Sequence, residues 1–219
     1  MSKPNRFALS AAAIAAVVLG LIAAWPQPAR AQGIIEEWNS VKAPPPPLDK
    51  IKPVQVDPKK TAVLSLDWNK NTCTADKRER CFKMLPRIAK LLADARGQNM
   101  LVAHALSSSM KPEDIAEIVA PKAGEPVVRG RGDKFSGSDL EKILKDKGIE
   151  TVIIVGTSAN SAVMYTAFGA VQRGFIPIVP IDGLPSETAY QEQFTIWQIA
   201  NGSQLSDKAL LTRIDQIKF

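Results

Sequence analysis

Histidine and cysteine are nearly missing from this chain: 219 residues include one histidine, His104, and two cysteines, Cys73 and Cys81. A zinc centre of the usual His/Cys kind takes three or four such ligands, so a metal held mainly by imidazole is excluded and no cofactor is expected. A strong charge of one sign is missing too. The formal net charge is +6, but Lys3, Arg6 and Arg30 fall in an N-terminal segment that reads as removable, which leaves 25 of the 28 basic residues against 22 acidic ones. That balance is too even for a nucleic-acid surface. Internal repeats are lacking as well. With 45% hydrophobic and 23% charged residues, the chain is neither disordered nor collagen-like and is long enough to bury one sizeable core.

Residues 1–31 have the parts of an export signal. Lys3 and Arg6 give a positive start, Phe7 to Trp25 run almost wholly apolar, and Ala29-Arg30-Ala31 supplies a small-x-small cleavage site. The expectation is a signal peptide over 1–31, cut between Ala31 and Gln32, with a periplasmic or secreted product and no stable membrane insertion afterwards. A retained anchor is the alternative, since the apolar run approaches the length that a bilayer core needs. In an oxidising compartment Cys73 and Cys81 are expected to pair as a disulfide. A reactive thiol pair is the other reading, without the C-x-x-C spacing to support it.

Residues 32–60 are polar and proline-rich, with four prolines in a row at 44–47, and predict an extended arm that lies on the domain or tethers it. From Thr61 short apolar runs alternate with segments of helical period, the pattern of a parallel sheet covered on both faces. Strands are expected at 62–66, 100–105, 126–129, 151–155, 175–179 and 209–213. A helix should carry Met84, Leu85, Ile88, Leu91, Leu92 and Ala95 on one face and stop at Gly97. A second should open on a capping box at Ser138-Asp139-Leu140-Glu141 and end at Gly148. A third should run from Ala162 to Arg173. Tyr190, Phe194, Trp197 and Ile199 suggest the packed face of a late helix. The fold class is α/β, a three-layer, doubly wound, Rossmann-like sandwich with a mainly parallel sheet over residues 61–219.

Ligands of such sheets bind beyond the carboxyl ends of the strands. Those ends nominate Asp67, His104, Lys134, Gly156 with Thr157 and Ser158, and Asp182. Trp68, next to Asp67, could line the pocket or pack on a helix. His104, with no second histidine near it, could touch substrate or only hydrogen-bond in the core.

The stretches TAVLSLDWN, GDKFSGSDL, VIIVGTSANSAVMYTAFGAVQRGF and VPIDG resemble, in order and spacing, the isochorismatase-like superfamily of cysteine hydrolases, over about Thr61 to Ser186. The resemblance implies an aspartate closing the first long strand, a lysine after the third and a cysteine opening the helix after the fourth. Asp67 and Lys134 match the first two; Ala162 stands where the cysteine is expected, and Ala159 replaces a usual threonine. Without a thiolate the thioester route to amide hydrolysis has no nucleophile. Ser161 and Ser158 lie near, but one residue on a helix turns a side chain by about 100°, so Ser161 should not take the cysteine's place, and capping or structural hydrogen bonding is the plainer reading of both serines. True isochorismatases also carry a small residue there and use the aspartate to protonate a vinyl ether. The resemblance further implies a cis peptide between Thr157 and Ser158, backbone N–H groups of Ser161 and Ala162 turned to the pocket, Asp182 as the acid after the fifth strand, a small-molecule substrate, and homo-oligomers as a common state. Two functions follow as expectations: a cysteine-free hydrolase working through Asp67 and Lys134, or an inactive relative that binds a small molecule or protein.

Overall fold

Six strands, most of them apolar enough to be covered on both faces, assemble into one fully parallel sheet. The computed structural model describes residues 33–219, so the expected signal peptide and its cleavage site lie outside the described residues. Two units are distinguished, divided after Ala43. In the first, the described part forms one helical turn, Ile34–Glu37.

The second unit, Pro44–Phe219, contains β1 (Val54–Gln55), β2 (Thr61–Leu66), helix α1 (Glu79–Gly97), β3 (Leu101–Ser107), β4 (Val127–Gly130), α2 (Leu140–Asp146), β5 (Thr151–Gly156), α3 (Met164–Gln172), β6 (Ile176–Pro180), α4 (Ala189–Asn201), β7 (Leu210–Thr212) and β8 (Ile217–Lys218). The main sheet has the order β4-β3-β2-β5-β6-β7, and every neighbouring pair is parallel. The direction of winding therefore reverses between β2 and β5, where doubly wound sheets open a crevice.

Strand periodicity accounts for the three layers. Alternate residues of a strand point to opposite faces: Ala62, Leu64 and Leu66 join one core with α2, α3 and α4, while Val63 joins the other with α1. In β5, Val152 and Ile154 enter the first core and Ile153 and Val155 the second. Helix α1 buries Cys81, Leu85, Ile88, Leu91, Leu92 and Ala95, an i, i+4, i+7 stripe that seats it on the sheet.

Several local expectations are corrected. Of residues 32–60, expected as an extended arm, 44–60 fall in the second unit, where Val54 and Gln55 pair in parallel with Ile217 and Lys218 in a separate two-stranded sheet. Helix α1 includes Gly97, and the left-handed residue after it is Asn99, at φ 56°. The Ser138 box is half made. Ser138 Oγ accepts from Leu140 N at 3.2 Å, but Glu141 turns outward to Lys145 and Arg173; α2 itself runs to Asp146 and is closed by the left-handed Gly148, at φ 67°, where its end is expected. A complete box caps α4 instead, where Thr188 and Gln191 bond reciprocally. The expected packing face of α4 is also wrong. Tyr190, Phe194 and Trp197 stand at the surface, while Ile199 is buried. No described helix is long and apolar enough to cross a membrane.

Cys73 and Cys81 form a disulfide across eight residues, with Cα atoms 5.2 Å apart. Both sulfurs sit in the core beside Trp68 and Ile88. Closing a loop of that length removes about 2.5 kcal/mol of unfolded-state entropy. Cys73→Ser/Cys81→Ser should therefore melt about 5–10 °C below the wild type in calorimetry; an unchanged melting temperature would show that the bridge contributes nothing.

Candidate active site

At the reversal point the ends of β2 and β5 approach too closely for a side chain on both. A Cβ on Gly156 would lie 2.4 Å from Leu66 Cβ and 2.6 Å from Leu66 O. The glycine lets Thr157 N reach Leu66 O at 3.1 Å, which brings the residues after the two strands together. Asp67 follows directly with φ 53°, a left-handed conformation uncommon outside glycine, asparagine and aspartate. Thr157–Ser158 is a cis peptide.

The Asp67 carboxylate is held on both oxygens. Oδ1 accepts from Ser107 N at 2.6 Å, and Oδ2 pairs with Lys134 Nζ at 2.6 Å. The Lys134 side chain is 1% exposed, whereas Asp67 keeps 14%, so the acid faces the open space and the lysine stands behind it. The lysine's backbone is pinned at both ends: its N–H donates to Thr166 Oγ1 of α3 at 3.1 Å, and its carbonyl accepts from Ser138 Oγ at 2.6 Å. Gly130 admits this turn, since a Cβ there would come within 2.7 Å of Lys134 O.

A cleft of about 280 Å³ opens in front of Asp67, with Asn69, Arg78, Ser107, Thr157, Ser158, Ser161 and Ala162 among its lining residues. The helical segment that carries the last two starts earlier than expected, as a wide turn over Ala159–Val163. Both Ser161 N and Val163 N donate to Ser158 O in that turn. Ser161 N is thus bonded within the turn. Ser186 Oγ, 2.8 Å from Ala159 N, steadies the turn from below. Neither cysteine of the chain has a free thiol.

Three nominated residues do not line this cleft. Strand β3 runs to Ser107, so His104 lies three residues short of its end. Its Nε2 instead meets Glu125 Oε2 at 3.1 Å inside the protein. Trp68 is 1% exposed and packs in the core around α1. Asp182 supports the chain around it, accepting from Ile214 N at 2.8 Å and pairing with Arg87 at 3.0 Å. The residues missed by sequence reasoning are Ser107, whose amide grips Asp67, and Arg78, whose Nη2 donates to Thr157 Oγ1. Arg78 had one available signal: it lies between two cysteines expected to pair, in the loop that leaves the Asp67 strand.

His104 and Glu125 form a second charged cluster, away from the cleft, whose ionisation is coupled to folding. Burial pushes His104 below its usual value, outweighing the pull of Glu125. Burial pushes Glu125 the other way, but hydrogen bonds from Arg96, Lys122 N and His104 prevail and hold its carboxyl at about 2. Both native groups thus bind protons less readily than their unfolded counterparts, and both lose stability on acidification: His104 as pH falls below about 6.5, Glu125 as it falls from about 4.5 to 2. Urea midpoints of the wild type should fall from pH 6.5 downward, and Glu125→Gln should be less stable at pH 7 and flatter between pH 4.5 and 2. Parallel profiles would refute the assignment.

The isochorismatase domain model matches residues 61–209, more than half of the chain and the whole span from β2 to the start of β7. The chain belongs to the isochorismatase family. An N-carbamoylsarcosine amidase of an Arthrobacter species is 32% identical to this isochorismatase-family chain over 88 residues, 40% of the chain and 33% of the amidase. A secreted isochorismatase effector of Verticillium dahliae is 29% identical over 110 residues, 45% of this chain and 58% of the effector. These matches span about a third and just over half of the two curated relatives. Among solved structures, an isochorismatase-like hydrolase of Alkaliphilus metalliredigens shares the fold with a TM-score of 0.64 at 22% identity, over 72% of this chain and 95% of that one.

Proposed function

We propose that this protein is an exported isochorismatase-family hydrolase that opens a C–O or C–N bond of a small molecule, a vinyl ether or an amide, without a cysteine nucleophile. The observation that carries the reading is the Asp67 carboxylate at the mouth of the cleft, backed by a buried lysine at 2.6 Å. The residue expected to be the family's nucleophile is Ala162, and the chain's only two cysteines are bound to each other.

Asp67 is the group that moves a proton. On a vinyl ether Asp67, having first taken a proton from solvent, delivers it to the terminal carbon; water adds to the resulting cationic centre and gives up a proton to Asp67, and the hemiketal collapses with release of the alcohol. On an amide it takes one from the attacking water, and the nitrogen leaves with a proton. Lys134 holds the carboxylate in place and balances its charge. In the amide case the oxyanion would meet the first-turn amide of Ala162. Export is supported by the composition of residues 1–31 and by the kinship with a secreted effector.

The absence of a free thiol also favours a second reading, an inactive relative that retains the pocket for binding. Product formation followed by NMR, from a panel of small amides and vinyl ethers with the chain from Gln32 onward, separates the two. Product that disappears with Asp67→Asn supports the hydrolase. Ligand binding with no product across the panel would overturn it.

A further inference from the structure

Arg78 is the one cation among the described residues that line the cleft, and its charge is unanswered. Its guanidinium makes a single hydrogen bond among the described residues, from Nη2 to Thr157 Oγ1. Nε is buried and has no partner, and no carboxylate of the described residues lies within 4 Å of the group. Asp67, the one acid on the same wall, directs its charge to Lys134. The pair cancels, so the cleft presents a net positive charge with unfilled donors.

Local structure gives Arg78 no other employment. It occupies the N-cap position of α1, where a side chain that accepts hydrogen bonds is useful, and arginine accepts none. What it offers is a planar fork of N–H donors that matches a carboxylate. The backbone is tethered on both sides of it. The Cys73–Cys81 bridge closes the loop, Arg78 N donates to Thr74 O at 3.0 Å, and Cys73 N donates to Asn69 O at 2.8 Å. A long, flexible side chain is thereby launched from a fixed base toward Thr157.

We infer that Arg78 is the specificity-determining residue of this cleft, binding a carboxylate of the substrate, and that the disulfide-closed loop is the element that positions it. The inference rests on the cleft being the substrate site under the proposed function. The reaction then takes place on an amide or vinyl ether that carries a separate carboxylate, with the anion at the α1 end and the scissile group before Asp67.

The test uses matched acid and amide pairs, malonamate with malonamide, succinamate with succinamide, and glutaramate with glutaramide, titrated by ligand-observed NMR into the wild type, Arg78→Gln and Arg78→Lys. The acid of at least one pair should bind the wild type 10-fold or more tighter than its neutral partner. Arg78→Gln should abolish that preference, and Arg78→Lys, which keeps the charge and loses the fork, should restore part of it. No acid preference in any pair, or a preference that survives Arg78→Gln, overturns the inference. Reduction with dithiothreitol should weaken acid binding several-fold and leave neutral ligands unaffected; equal weakening of both would remove the positioning role of the bridge. Circular dichroism checks that the reduced protein is folded, and if it is not, the intact-bridge arginine variants decide the matter. Failure of the two readings is distinguishable in the same samples. Hydrolysis without acid preference leaves the hydrolase and removes the role of Arg78, whereas acid preference through Arg78 without product does the reverse.

Discussion

Asp67→Asn is expected to lower turnover of any substrate of this protein by about 10²–10⁴-fold, the range that a positioned proton-transfer group contributes. Asparagine is the informative replacement because it tolerates the left-handed backbone at φ 53° and retains an oxygen for Ser107 N. It cannot carry the charge. Lys134, 1% exposed, would then keep an ammonium with no counter-charge, and removal of one partner from a buried pair typically costs about 3 kcal/mol or more. The variant should therefore be both inactive and less stable. Asp67→Asn/Lys134→Met separates the two effects, since it removes the stranded charge: stability should recover while turnover stays lost. Activity within a factor of a few of the wild type in folded Asp67→Asn, measured as kcat/KM, would remove Asp67 from the chemistry.

How much of this site was legible in the sequence follows from which residues act through their own strand and which through partners. Asp67 lies at the end of β2, whose six residues are all buried, and Thr157 and Ser158 lie just past the end of β5; a parallel sheet brings such ends together whatever the loops do. His104 misled because the apolar run hid where β3 stops. Three more residues continue the strand past it, and Ser107 reaches Asp67 in its stead. Lys134 could be matched by order along the chain, but its burial depends on Gly130, Thr166 and Ser138, which are contributed by three different elements. Arg78 depends on a disulfide and on a threonine 79 residues away. Strands β1 and β8 have two residues each and come from the two ends of the second unit, so no periodicity marks them. The exposed aromatic face of α4 repeats at the same spacing as a buried one, and period alone does not tell the two apart.

Ala162→Cys carries the opposite expectation, a gain. Ala162 is 4% exposed and lines the same cleft as Asp67, so its methyl marks where a sulfur would stand at the start of the helical segment. First-turn amides favour the thiolate. Because Cys73 and Cys81 are bound to each other, the new thiol would be the protein's only one, and iodoacetamide should label the native variant once and the native wild type not at all. With a thiolate present, the thioester route becomes available. Sulfur adds to the amide carbon, the C–N bond breaks with a proton passing to nitrogen, and water then releases the acid and regenerates the thiol. Small amides that the wild type turns over slowly or not at all should then yield product from Ala162→Cys, and this gain should vanish on alkylation or in Ala162→Cys/Asp67→Asn. A thiol that labels only after unfolding would show that position 162 does not face substrate, and it would count equally against water attacking at that place in the wild-type reaction.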